Sequence, residues 1–232
     1  METMTALTTR LRAKLDEVTA AHWLDSQLQQ WIYDGAKDAC RKSECLRDTY
    51  NGLTIVAGTQ SYNLTATGIK DLIRIHRVTY KQVGETEHYP LEYADFNSLD
   101  SMSWTTAQQS RPMLYGTWGF PPNLSIVLYP APADAGTLTI SYYRLPDSSV
   151  IGTPSNNVEL PQGWEEIAVD YAVWQALLQD GDDRWQAYKA IYDEHLADLT
   201  ITAIRFNDQA GMMNIGATGA VPQWLWDEGW VG

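Results

Sequence analysis

The sequence predicts an α+β protein: a bundle of about four helices, an antiparallel β domain inserted between the second and third helices, and an extended C-terminal arm. Three observations carry this expectation. Apolar residues recur at helical spacing near both ends of the chain, over 4–45 and again over 164–200. Between these stretches, short runs of β-branched and aromatic residues are punctuated by Gly, Pro and Asn, the pattern of strands and turns. After about Arg205 no periodicity remains, and Gly211, Gly216 and Gly219 interrupt a tail that ends in VPQWLWDEGWVG.

The first helix is expected over 4–20, where Leu7, Leu11, Leu15 and Val18 form one stripe while Arg10, Lys14 and Glu17 lie elsewhere. Asp25 or Ser26 can cap a second helix, whose Leu28, Trp31, Ile32, Ala36 and Ala39 share a face as far as about Cys45. From Tyr50 the period shortens. Strands are expected over 53–56, 61–64, 71–81, 89–93, 113–118, 124–129 and 138–144. In the last of these, Leu138, Ile140 and Tyr142 alternate with Thr139, Ser141 and Tyr143, as in an antiparallel sheet with one covered face.

A third helix is expected from Trp164, with Ile167, Ala168, Tyr171, Trp174, Leu177 and Leu178 at helical spacing. Asp180-Gly181-Asp182-Asp183 stops it and caps a fourth, whose stripe is Trp185, Tyr188, Ile191, Tyr192, Leu196 and Leu199. So short a connection makes the last two helices an antiparallel hairpin. Each helix pair has an apolar face too wide to leave in water, and packing one pair on the other covers both. The expected division is therefore 1–48 with 158–204 as the bundle, 49–157 as the inserted β domain, and 205–232 as a docking arm.

Sixteen Lys and Arg against twenty-nine Asp and Glu give a formal charge of −13, which repels phosphate backbones. Acidity permits one relation to DNA, that of a wall past which DNA slides without sticking. No apolar run is long enough to span a bilayer, and residues 1–20 carry five charged residues from Arg10 to Glu17 where a secretory signal would be apolar. Cytoplasm, or release by lysis, is the expected setting. Cys40 and Cys45 are the only cysteines; on a helix, a spacing of five points them apart, so they are expected to be reduced structural residues.

Catalytic motifs are missing. There is no G-x-S-x-G elbow, Walker loop or post-strand G-x-G-x-x-G, so hydrolase and nucleotide chemistry lose their signatures. His22, His76, His88 and His195 are scattered, without ligand spacing for a metal, and no cofactor is implied. His76 reads as a solvated sheet residue and His195 as a polar edge of the bundle. Glu165 and Glu166 are adjacent on a helix and face different ways, so helix-dipole compensation explains them better than paired acid-base catalysis. Asp180, Asp182 and Asp183 lack the spaced ligands of a calcium loop. Tyr142, Tyr143, Trp104 and Trp118 could line a sugar-binding face, which leaves a soluble carbohydrate- or ligand-binding module as the alternative reading.

Several phrases in order, Gly58-x-x-x-Tyr62-x-Leu64, Arg111-Pro-x-x-Tyr115, Leu128-Tyr-Pro-x-Pro132, Ile140-Ser-Tyr-Tyr143 and Leu160-Pro161 before Trp164 and Tyr171-Ala172, resemble tailed-bacteriophage head-to-tail adaptor proteins, over about 22–200. The resemblance implies a helical bundle with an inserted β domain and no catalytic activity. It also implies assembly as a dodecameric ring between a portal protein and a downstream tail or stopper protein. DNA would pass through without specific binding, and the location would be the virion, with no membrane.

Members of such a family often end in an extension that docks on the portal or a neighbouring subunit, the place occupied here by 205–232. The candidate partner-binding residues are Pro222, Trp224, Leu225, Trp226 and Trp230. Three tryptophans bury roughly 450 to 750 Å² at about 150 to 250 Å² each, at or beyond the largest apolar patch of an ordinary monomer, about 300 to 600 Å². Such a tail is expected to be covered by another chain, with folding back onto its own subunit as the alternative.

Overall fold

A computed structural model describes residues 1–17, 22–64, 69, 71–101, 109–120, 123–151, 153 and 155–212. The fold is mixed α+β, with five α-helices and a seven-stranded, mainly antiparallel sheet among the described residues.

Helix α1 (Met4–Lys14) is capped by Thr3, whose Oγ1 accepts the Ala6 N–H at 3.2 Å, and it buries Leu7 and Leu11. It ends at Lys14, short of the expected 4–20, and Asp16 takes a left-handed backbone at φ +56°. A chain reversal, invisible in the apolar stripe, ends it. Glu17 accepts the backbone N–H groups of His22 and Trp23, and the Arg12 guanidinium donates to Asp25 Oδ1 at 2.6 Å and to the Trp23 carbonyl at 2.8 Å.

Helix α2 (Asp25–Ser43) buries Leu28, Ile32, Ala36 and Ala39, as its spacing predicts. Leu24 occupies the N-cap without a side-chain bond, so Asp25 is no cap; it sits in the first turn, where it meets the positive helix end and pairs with Arg12. Glu44, at φ +51°, ends the helix, and its N–H reaches the Cys40 carbonyl at 2.9 Å. That exit corrects the expectation for the cysteines. A continued helix would point them apart, whereas the left-handed residue between them folds the chain back and places their sulfurs 3.7 Å apart.

Helix α4 (Glu166–Asp180) is the central one, buried continuously from Ile167 to Asp170 and touching α1, α2 and α5 (Trp185–Met212). It runs antiparallel to α2: Gln27 near the start of α2 bonds Gln179 near the end of α4, and Gly35 packs on Tyr171. A Cβ on Gly35 would lie 2.7 Å from Tyr171 Cβ, so the helices approach as closely as they do because no side chain intervenes. Gly181, left-handed at φ +74°, closes α4, and Asp182 Oδ1 accepts the Arg184 N–H at 2.9 Å ahead of α5. In α5, Tyr192 and Leu199 are buried, while Ile191, expected on the same stripe, faces outward. The helix also continues to Met212, so 205–212 of the expected arm is helical. Met4, Leu7, Leu11, Leu28, Ile32, Val173, Tyr192 and Leu199 belong to one apolar cluster spanning α1, α2, α4 and α5, which also takes in Val150 and Val158 from the return segment.

A second cluster lies on the sheet. Its strands are β1 (Arg47–Ile55), β2 (Ser61–Asn63), β3 (Leu72–Gln82), β4 (Tyr89–Tyr93), β6 (Leu114–Trp118), β7 (Ser125–Tyr129) and β9 (Gly136–Arg144), ordered β1-β9-β3-β4-β6-β7-β2. The short β5 (Gln109–Ser110) and β8 (Ala131–Pro132) form a separate parallel pair. In β9 the alternation holds as far as Tyr142, with Leu138, Ile140 and Tyr142 buried between β1 and β3, but Tyr143, expected on the uncovered side with Thr139 and Ser141, is buried as well, beneath Arg47 and Arg74. Gly136 begins β9 against the Tyr80 ring and the Lys81 carbonyl, with no room for a Cβ. The expected all-antiparallel sheet is corrected at one place. Strands β4 and β6 run parallel, pairing Tyr93 with Tyr115, because the connection between them, which includes α3 (Phe96–Ser101), crosses over instead of turning back.

The two clusters meet at a polar junction. Arg144, at the end of β9, donates to both carboxylate oxygens of Glu159, at 2.7 and 3.0 Å, and Glu159 also accepts the Asp147 N–H at 2.7 Å. Tyr33 of α2 donates to the Pro146 carbonyl at 3.3 Å. Hydrogen bonds from Arg144 and Asp147 outweigh partial burial and lower the Glu159 pKa from its ordinary value.

Candidate interaction surface

The five arm residues singled out by sequence, Pro222, Trp224, Leu225, Trp226 and Trp230, lie outside the described residues. Trp104 does too. The remaining aromatic residues expected to form a sugar-binding face are not brought together. Tyr142 is buried in the sheet core and Tyr143 is buried beside His76, while Trp118 is exposed and stacks on Phe96 with centroids 4.5 Å apart. Strand alternation explains the scatter, because neighbouring positions point to opposite faces.

The structure instead assembles a groove of about 610 Å³ on the sheet. Tyr115 and Thr117 of β6 reach it from one side, and Tyr93 of β4 crosses Tyr115 edge-on with centroids 5.5 Å apart. Phe120, 83% exposed in the turn after β6, stands at the rim. Gly119 makes this turn at φ +86°, where a Cβ would press on the Asn123 carbonyl at 2.5 Å. Leu72, Arg74 and His76 of β3 form the other side.

That side is cationic in an otherwise acidic protein. Arg74 pairs with Glu44 and lies 5.1 Å over the Tyr143 ring, Arg47 lies 5.9 Å over the same ring, and His76 Nδ1 is 3.5 Å from the Tyr143 hydroxyl. Burial first, and then the charges of Arg47, Arg74 and Arg77, lower the His76 pKa, so its imidazole is neutral at neutral pH. Sequence inspection places His76 on a solvated sheet face, and it is indeed exposed. What the spacing does not reveal is that register across β9 brings Arg47 beside it, joining its strand neighbours Arg74 and Arg77.

Elsewhere the polar residues have structural partners. His195 Nδ1 is 2.8 Å from Oδ2 of Asp170, whose other oxygen accepts from Lys14 at 2.7 Å. Glu166 pairs with Arg10 and Lys14, while its neighbour Glu165 turns the other way and accepts the Gly163 N–H at 2.7 Å. The two acids therefore serve different contacts, as their adjacency on a helix requires. Burial works to raise the Glu166 pKa, but hydrogen bonds from Lys14 and Arg10 outweigh it and leave it lowered. Among the described residues, no group of three or more His, Cys, Asp or Glu could hold a metal, and no helix is long and apolar enough to cross a membrane.

Helices on one cluster and a curled sheet bearing a groove on a second leave the kind of protein to be decided by comparison. The sequence pattern of the SU10 adaptor protein family matches residues 3–216. The chain belongs to that family. The SU10 adaptor family is a phage head-to-tail adaptor family, which makes this a bacteriophage structural protein and implies a virion location. Adaptors of this kind suggest interaction with portal and tail components. The matched region takes in every described helix and strand and stops before Pro222. No curated protein matches the chain.

Proposed function

We propose that the chain is a non-catalytic subunit of an adaptor ring, dodecameric in the complete particle, that joins the portal of a tailed phage to a downstream tail or stopper protein and conducts DNA. The observation that carries this reading is the family match across 3–216. In this reading, 1–48 and 158–204 form a rigid helical frame and 49–157 an inserted β domain. The Trp-rich segment with Pro222, Trp224, Leu225, Trp226 and Trp230 docks on the portal or on the neighbouring subunit.

Charge supports the conduit. At −13 per subunit, a ring multiplies a field that offers passing phosphates no binding site. Apolar burial supports the arm, since each fully buried large side chain contributes about 1.5 to 3 kcal/mol before the cost of ordering is subtracted. Repetition around a ring turns a modest joint into a durable one.

Native mass spectrometry of the full chain, alone and with a portal protein, tests the proposal. A ring or monomer that joins the portal is the expected result; a strict monomer that ignores the portal and binds a glycan overturns it. Deleting 222–232 should leave the circular dichroism spectrum intact while impairing assembly. Collapse of the fold on truncation would instead mean that the arm folds back on its own subunit.

A further inference from the structure

We infer that the groove between β3 and β6 is the receptor for the segment Pro222 to Trp230 of a neighbouring copy of this chain. The inference rests on the reading that copies assemble side by side, and it assigns the arm one of the two partners left open above.

Chemical fit is the first argument. The segment carries three indoles and two adjacent acids, Asp227 and Glu228. The groove offers an aromatic wall, Tyr93, Tyr115 and Phe120, facing an edge formed by Arg74, which is paired with Glu44, and the neutral imidazole of His76, with the cationic Arg77 close by. Arg77 forms no salt bridge among the described residues and is exposed, so it can meet a carboxylate without first losing a partner. Arginine over tryptophan is the most favourable cation–π combination, and edge-on aromatic contacts add to it. In a chain with thirteen more acidic than basic residues, a concavity with arginines and aromatic rings complements a segment that carries acids and indoles.

The second argument is where the arm begins. Tyr192 of α5 bonds Asp38 and His195 bonds Asp170, so α5 runs antiparallel to α4 and in the direction of α2, toward the end at which α2 hands the chain to the sheet. Around Ala203, which is buried, Ile201, Ile204 and Phe206 are exposed, so this stretch of α5 presents apolar side chains away from its own cluster. From Met212, the nine residues 213–221 can reach at most about 30 Å, and the whole tail about 70 Å, at 3.3 to 3.6 Å per residue. With α5 directed toward the sheet end of α2, a tether of that reach is long enough to bring Pro222 to Trp230 to the sheet of an adjoining copy.

Photo-crosslinking with isotope mixing tests this. Full-length chain carrying benzoylphenylalanine in place of Trp226 is prepared in ¹⁵N-labelled and unlabelled forms, mixed, allowed to associate, irradiated and digested. Crosslinks from the arm to peptides containing Arg74, Tyr115 or Phe120, with the two isotopes mixed in one product, are expected. Phe120→Ser and Arg74→Glu, both at exposed side chains, should each weaken the arm–groove association roughly tenfold, equivalent to about 1.4 kcal/mol, with an unchanged circular dichroism spectrum.

Groove crosslinks of a single isotope would show the chain's own arm in the groove and overturn the inference. So would crosslinks to any other surface. If sedimentation shows self-association but the groove is never labelled, the inference falls and the ring stands. If the full chain shows no self-association and no mixed crosslink, both fall.

Discussion

Asp170 tests whether the helical core depends on charge compensation. Its side chain is buried at the centre of α4, and it accepts from Lys14 of α1 and lies 2.8 Å from His195 of α5. Lys14→Met with His195→Leu removes both compensating groups and leaves a carboxylate in an apolar cluster. Leaving one member of a buried pair uncompensated costs about 3 to 5 kcal/mol. Loss of the half-exposed Lys14–Glu166 pair adds no more than about 1 kcal/mol. At roughly 2 to 4 °C per kcal/mol for a chain of this size, the melting temperature should fall by about 6 to 24 °C.

Adding Asp170→Leu to the double variant removes the charge and should restore most of the loss. Urea unfolding of the parent, double and triple variants measures both changes. A double variant within about 1 kcal/mol of the parent, or a triple variant no better than the double, would refute the reasoning.

Three further outcomes are expected. Gly35→Val, which places a branched side chain against Tyr171, should destabilise by about 1 to 3 kcal/mol through overpacking, only partly offset by the gain of up to about 1 kcal/mol in helix propensity, as read by chemical denaturation. The lowered pKa of Glu159 means that its clamp stabilises above the ordinary Glu range and is lost as pH falls through the lowered value; Glu159→Gln should flatten the acid limb of stability, measured by thermal melts at stepped pH. Cys40 and Cys45, with sulfurs 3.7 Å apart, should form an intramolecular disulfide with an added disulfide oxidant, whose two sulfurs are reduced to thiols as the pair loses two hydrogens; intact mass and peptide mapping detect it, and persistence of two alkylatable thiols would contradict the geometry.

Most elements were legible in the sequence because their signal is local. The stripe of α2 and the alternation of β9 as far as Tyr142 follow from one buried face each, whereas α4 is buried on several faces and leaves Leu178 of its expected stripe exposed; Gly181 announces a helix end by its freedom at positive φ. The illegible parts are those set by distant residues. Nothing between Met4 and Val18 encodes the reversal that Arg12 makes with Asp25, and no spacing rule could show that Glu44 would fold Cys45 onto Cys40. The parallel β4–β6 pairing depends on a crossover, and the groove on the register that brings β3, β4 and β6 together. A single-residue scan sees Phe120 as unrelated to Arg74 and His76, because it meets their strand only in three dimensions. The indole-bearing segment, by contrast, was conspicuous from composition alone.

The position of α4 governs how the chain can come together on the ribosome. Helices α1 and α2 emerge first, but the helix that covers them starts at Glu166, roughly 120 residues after Ser43, and Glu2 and Met4 wait for backbone partners at Val158 and Asn156. At about 5 to 20 residues per second, the apolar stripes of the opening pair stay uncovered for roughly 6 to 25 seconds of synthesis. Sheet hairpins such as β6–β7 can close during that interval, whereas the helical half completes only when translation is nearly over. Newly made chains are therefore most exposed to chaperones and to one another before residue 180 leaves the exit tunnel.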